Sequence, residues 1–177
     1  MGIPLTDAEF GEALGTFADT AFRLELQPAY SEPCEHDTVA RFLAGDPQPP
    51  TEVPELADWF TQVAKLTGQG KRIERVRVHE DPPTDYQRWE RWIGTWNTGA
   101  GETIRYLTRR RAHEVGLLPA AGNFDWWLLD SHRLIVMRFD DTGHRLSNEL
   151  ITDPANLVQA LAWRDLAVRH STPDDAA

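Results

Sequence analysis

The side chains that could do chemistry gather in two stretches. One is arginine-rich: from Lys71 to Arg111, ten Lys and Arg stand against six Asp and Glu, within a 177-residue chain whose net charge is −10. Arg105 in "TIRYL" and Arg109 opening "RRRAHE" fall where a strand gives way to a helix, and backbone N–H groups and the helix dipole attract anions at such a place. Together they could clamp a phosphate, unless the acidic remainder of the chain neutralises them as a solvated charge run. The other stretch is "NFDWWLLDSHR", where Asp125 and Asp130 bracket two tryptophans. Asp130 precedes Ser131 at an expected hairpin, so it is either a turn residue that bonds nearby backbone or an acid in a site, and turn chemistry favours the first. Strand alternation puts Asp125, Trp127 and Leu129 on one face. Phe124, Trp126 and Leu128 share the other, so the strand should be covered on both sides. Asp125 then lies at the strand mouth or pairs with an arginine.

Trp89, Trp92, Ile93 and Trp96 recur at helical spacing with Arg88 and Arg91 beside them. Such a stripe is a core face or, with Trp89 and Trp92 exposed to a planar ligand, a stacking platform; packing is the reading favoured. The six histidines share no metal-ligand spacing, and the lone Cys34 can form no internal disulfide. No metal or cofactor is expected. Neither a G-x-S-x-G elbow nor a phosphate loop ending in GK[ST] occurs.

The elements that must position these residues can be read in order. Phe10, Leu14, Phe17 and Ala21 form the stripe of an amphipathic helix capped by Thr6 or Asp7, and Phe22, Leu24 and Leu26 alternate as a strand. Helices are expected over about 35–44 and 54–66, with a strand in "KRIERVRVHE". Thr84 caps a helix through Trp96, "TIRYL" is a strand, and 109–115 is a short helix. Three strands follow as a meander, through "DWWLL", to Phe139, and over about 145–151. Asp153 then caps a closing helix with Pro154 at its first position. This is an α/β (α+β) pattern in one domain: a helical layer over about 1–70, a mixed α/β core over about 71–170, and a polar tail at 171–177.

The strongly acidic balance argues against direct nucleic-acid binding, which relies on Lys and Arg neutralising phosphates. No apolar run reaches the ~20 residues of a membrane span, and the start "MGIPLTDAEF" lacks a signal-peptide pattern, so a cytoplasmic protein without membrane association is expected.

Two resemblances carry the reading further. The segments "TAFRLELQPAY", "RFLAGDPQPP", "DYQRW", "AGETIRYLTR", "FDWWLLD" and "MRFDDTG" resemble an actinobacterial family whose genes commonly lie beside Xre-type helix-turn-helix regulators. That resemblance covers about residues 10–170 and brings no established activity. In fold, the strand, helix, "AGETIRYL", hairpin and "NELITDPANLVQAL" are similar to a phospholipase D-like half-domain. That superfamily's chemistry lies in HxKx4D, in which a histidine attacks phosphorus and a lysine holds the phosphate. Asp130 matches the acid, but Asn123 stands in place of the histidine and Asp125 in place of the lysine. The resemblance therefore implies a non-catalytic relative.

The resulting expectation is a non-enzymatic accessory or ligand-sensing partner of a helix-turn-helix regulator, forming a homodimer, with Trp89, Trp92, Arg105, Arg109, Asp125, Trp127 and Asp130 as ligand-binding candidates. The alternative is an enzyme acting on a nucleotide or phosphate-bearing small molecule, with Asp130 or Glu149 as acid/base. Membership of a toxin–antitoxin pair is a third possibility.

Overall fold

The computed structural model describes residues 2–173. Its centre is a mixed eight-stranded sheet flanked by helices on both faces. The chain opens with β1 (Gly2–Leu5), α1 (Asp7–Thr16) and β2 (Thr20–Glu25), and continues through α2 (His36–Leu43) and α3 (Pro54–Gly68). Then follow β3 (Arg72–His79), α4 (Asp85–Gly99), β4 (Thr103–Thr108) and α5 (Arg109–Glu114). The meander is β5 (Asp125–Leu129), β6 (Arg133–Phe139) and β7 (Arg145–Ile151), and α6 (Pro154–His170) and β8 (Thr172–Pro173) close the chain.

The sheet order is β1-β7-β6-β5-β2-β3-β4-β8. Only β2, β3 and β4 run parallel to one another, joined by helical crossovers, and β5 pairs antiparallel with β2. The first three helices with α4 cover one face, and α5 with α6 cover the other. The local chemistry of the helix starts follows the sequence. Thr6 and Thr84 each form a capping box, with Glu9 and Gln87 respectively, and Asp153 accepts from the Ala155 N–H with Pro154 behind it.

Three expectations need correction. The first helix ends at Thr16 and not near Ala21, because Phe17 and Ala21 belong to the turn and the strand that follow and reach the same core from there. The N-terminal 70 residues are not a helical layer alone: β2 is an interior strand and β1 an edge. In the tail, Thr172 and Pro173 pair with Tyr106 and Arg105, which covers part of the β4 edge; residues 174–177 lie outside the described residues. The apolar stripe of α6, with Leu157, Leu161, Trp163, Leu166 and Ala167, packs onto the lower sheet face. Among the described residues no helix is long and apolar enough to cross a membrane.

Candidate functional site

The two sheet faces differ in chemistry. One carries Phe22, Leu24, Val76, Val78, Trp126, Leu128, Leu134 and Val136 and is an ordinary apolar core. The other carries charge at its centre although it too is covered. In β2 and β3, Arg23 lies opposite Arg75 and Glu25 opposite Arg77, so alternate residues of two neighbouring strands bring three guanidiniums and a carboxylate to one patch. Glu25, Arg75 and Arg77 are only 4–5% exposed. Burial of this kind is tolerable only when every charge is paired.

The pairing is extensive. Glu25 accepts from Arg75 Nη1 at 2.8 Å and from Arg77 Nε at 2.7 Å, and pairs with Arg23 at 3.2 Å. Arg75 Nε donates to Glu102, whose second oxygen accepts from Asn97 Nδ2. Arg77 Nη1 donates to the Glu90 carbonyl, and the Glu90 carboxylate meets both Arg77 Nε and His79 Nε2. Gly94, one turn beyond Glu90 in α4, permits this approach: a Cβ there would lie 3.2 Å from Arg77 Nη1 and 3.1 Å from the Tyr106 hydroxyl. Burial alone would raise the Glu25 carboxyl, but the three arginines outweigh it and hold it well below the usual carboxylate range.

Asp125 extends the network from the end of β5. It is fully buried, and its carboxylate accepts from the Leu26 N–H at 2.8 Å, the Tyr30 hydroxyl at 2.5 Å, Gln27 Nε2 at 3.3 Å and Arg23 Nη2 at 3.2 Å. Burial is the stronger influence and leaves this carboxyl above its ordinary value, despite Arg23 and those hydrogen bonds. Both descriptions expected for Asp125 apply: it opens β5 and it pairs with Arg23.

Between this charged face and the helices lies a cavity of about 460 Å³. Its floor is Arg23, Glu25, Arg75 and Arg77, its walls include Tyr30, Trp59, Tyr86, Trp89 and Trp127, and Glu32, Glu35, Glu55 and Cys34 also line it. The aromatic rings are in contact: Tyr30 packs edge-on against Tyr86 at 5.8 Å, and Tyr86 against Trp89 at 5.2 Å. Trp127 lies under two guanidiniums, Arg23 at 5.5 Å and Arg75 at 5.7 Å. Glu35 accepts from the Tyr86 hydroxyl at 2.7 Å. Burial pushes its carboxyl up to about 7, only partly offset by that hydrogen bond and reinforced by Glu90, Glu32 and Glu25. The Cys34 thiol is likewise pushed up to about 11 by burial and by Glu35, Glu32 and Glu55, which makes it a poor nucleophile at neutral pH.

Of the residues singled out in the sequence, Trp89, Trp127 and Asp125 meet at or beneath this cavity. Trp92 does not line it; it packs against Phe42 and Trp96 in the outer helical core. The phosphate clamp expected of Arg105 and Arg109 is not formed: Arg105 pairs in register with Val76 and so projects from the face opposite Arg77. Arg105 instead donates to Ser171 Oγ, the Ser171 carbonyl and the Val168 carbonyl, fastening the end of α6. Arg109 is bound by Glu80 at 2.5 Å and by the Leu26 carbonyl. Asp130 sits in the β5–β6 turn with φ of 52°, followed by Ser131 at 59°. It does not bond the backbone two residues on. Its carboxylate reaches across to the N–H groups of Ala18, Asp19 and Thr20, at 2.7–3.1 Å, and fixes the entry to β2. Glu149 pairs with Arg138 near the β1 edge, away from the cavity.

Sequence reasoning missed Arg23, Glu25, Arg75, Glu35 and Glu90. The alternation in "FRLE" and "RVRVH" signals a strand with a charged face, and a charged face ordinarily means solvent. The usable signal was complementarity: Arg-x-Glu on one strand and Arg-x-Arg on its neighbour can neutralise one another under cover.

An eight-stranded mixed sheet with helices on both faces, parallel at β2-β3-β4, is a phospholipase D-like α/β fold. The structure superposes on the phospholipase D family member Nuc from Salmonella typhimurium with a TM-score of 0.54 at 8% identity, covering 92% of this chain and 86% of that one. NucT from Helicobacter pylori gives 0.50, also at 8% identity and the same coverage. Residues 8–176 match the family described as a domain of unknown function, DUF6879, and the chain belongs to that family. None of the functionally curated proteins shows significant similarity to it.

Proposed function

We propose that this protein is a non-enzymatic, ligand-sensing domain that acts as the accessory partner of a helix-turn-helix transcriptional regulator. The observation that carries the reading is the cavity itself: a space of about 460 Å³ between the sheet and the α-helical layer, open on one side, aromatic-walled, with its charged floor already neutralised from within. Concave, mostly apolar sites with a few placed polar groups are what small-molecule binding uses. A ligand there would touch residues from the segment before α2, from α3 and from α4, and could shift how they pack, which is what transmits a signal to a partner.

The non-catalytic part rests on Asn123 and Asp125 standing where the phospholipase D-like motif has histidine and lysine, and on Asp125 being committed to four donors of its own chain. The regulator partner and the actinobacterial setting rest on the sequence resemblance, and a cytoplasmic location is the setting such a partner requires. A homodimer fits the open side of β1, where Ile3 is 53% exposed and the strand is paired on one side only.

The test is affinity capture from native extract with proteins and small molecules both identified. The expected result is recovery of a helix-turn-helix regulator whose retention changes when Trp89→Ala reshapes the cavity. Turnover of a nucleotide or phosphate ester by the purified protein, lost in Asp130→Asn or Glu149→Gln, would favour the enzymatic alternative.

A further inference from the structure

We infer that the cavity takes an organic cation, an amine or guanidinium compound, held against Tyr30, Tyr86 and Trp59 with Glu35 as its counter-charge. The inference rests on the ligand-site reading above and specifies its chemistry.

Three observations carry it. First, the positive charge around the cavity is spent: Arg23, Arg75 and Arg77 are each held by two carboxylates, and Arg145 pairs with Asp7. An anion entering would meet no guanidinium without an acidic partner. Second, the negative charge is not spent, since Glu32 and Glu55 line the same space and form no ion pair among the described residues, while Glu35 receives only the Tyr86 hydroxyl. Third, the walls are aromatic, and ring faces attract cations that have shed water. The protein already uses this contact nearby: Arg23 lies 5.6 Å from the Tyr30 ring, Arg23 and Arg75 both cover Trp127, and Arg75 lies 5.9 Å from the Trp59 ring. A ligand guanidinium or ammonium would repeat it.

Glu35 also gives the site a pH dependence. Around it stand Glu25 from β2, Glu32, Cys34 and His36 from its own segment, Glu55 from α3, and Tyr86 and Glu90 from α4, with Arg23, Arg75 and Arg77 on the cavity floor; the groups that act most on its carboxyl are the acids and the Tyr86 hydroxyl. Its carboxyl is raised to about 7 by burial and by these acids. An arriving cation would favour its ionised form, so binding should strengthen as pH rises through this region and release a proton below it.

The experiment titrates the full chain with four probes, tetramethylammonium, agmatine, AMP and adenosine, following tryptophan fluorescence and melting temperature at pH 6 and pH 8. The expected result is saturable binding of at least one cation, about tenfold or more tighter at pH 8 than at pH 6. Glu35→Gln should remove the pH dependence and weaken binding about tenfold at pH 8, while Asp165→Asn, at an exposed pair on α6, changes neither. Cation binding that Glu35→Gln leaves untouched overturns the role of Glu35. Preference for AMP or adenosine overturns the cation inference but keeps the cavity as a ligand site, provided Trp89→Ala weakens that binding. Silence with all four probes counts against both readings.

Discussion

Glu35 and Asp130 show how the same carboxylate serves opposite ends according to its neighbours. Glu35 is buried among acids, and its folded-state carboxyl lies above the unfolded value. Ionisation therefore costs stability, with the penalty absent below the unfolded value near ~4.3 and complete once pH passes about 7. Glu35→Gln should raise the melting temperature at pH 8 and leave it nearly unchanged at pH 4; thermal scans at the two pH values check this. Asp130 is the reverse case. Burial would raise it slightly, but the N–H groups of Ala18, Asp19 and Thr20 hold it below the ordinary aspartate value. Its contribution is present above about pH 4 and lost as pH falls through the folded value. Asp130→Ala loses these bonds and places a non-polar side chain at positive φ, at a cost of about 2 kcal/mol or more, measurable by urea unfolding. Cavity binding per folded molecule should be unchanged, because Asp130 lies at the other ends of the parallel strands.

The elements owe their cohesion to the two unlike faces of the sheet. On the charged face, Glu25 is the hub of three arginines, and its carboxyl is held low. Glu25→Gln should cost about 3–5 kcal/mol at neutral pH, with the difference from the wild-type chain closing in strong acid as the wild-type carboxyl protonates. Gly94→Ala would ordinarily stabilise a helix by up to about 1 kcal/mol. Here the added methyl meets Arg77, which its ion pairs prevent from moving, so a net loss is expected by denaturant unfolding. Arg105→Ala should cost about 1–3 kcal/mol through loss of its bonds at the end of α6, and phosphate should stabilise neither form in a Arg105-dependent way.

These elements were legible in the sequence to different degrees. Thr84, Asp153 and Pro154 mark helix starts by local hydrogen bonding, which depends on nothing distant, and the meander from Asp125 to Ile151 follows from period-two alternation. β1 and β8 left no such mark, since four and two residues carry too little pattern and owe their pairing to distant partners. The site was harder still. Trp89, Trp127 and Asp125 stood out by type, but Arg23, Glu25 and Arg75 look like the wet face of any strand. Their burial depends on α1, α3 and α4 folding over them, and strand register alone decides that Arg105 faces away.

At the scale of the whole molecule, a phospholipase D-like sheet carries, beneath its α1–α4 cover, a neutralised charge network with a cavity above it. Light scattering at tens of micromolar should report a dimer, an order of magnitude suited to weak association, if the open side of β1 pairs with a second copy. The most direct test of the central claim is the ¹H–¹⁵N spectrum of the tryptophan indoles, titrated with whichever of the four probes binds most tightly. Trp59, Trp89 and Trp127 line the cavity, whereas Trp126 and Trp163 belong to the opposite face. A ligand in the cavity gives saturable shifts in the first three with the last two unmoved; shifts confined to Trp126 and Trp163, or spread equally over both faces, would contradict a ligand site there.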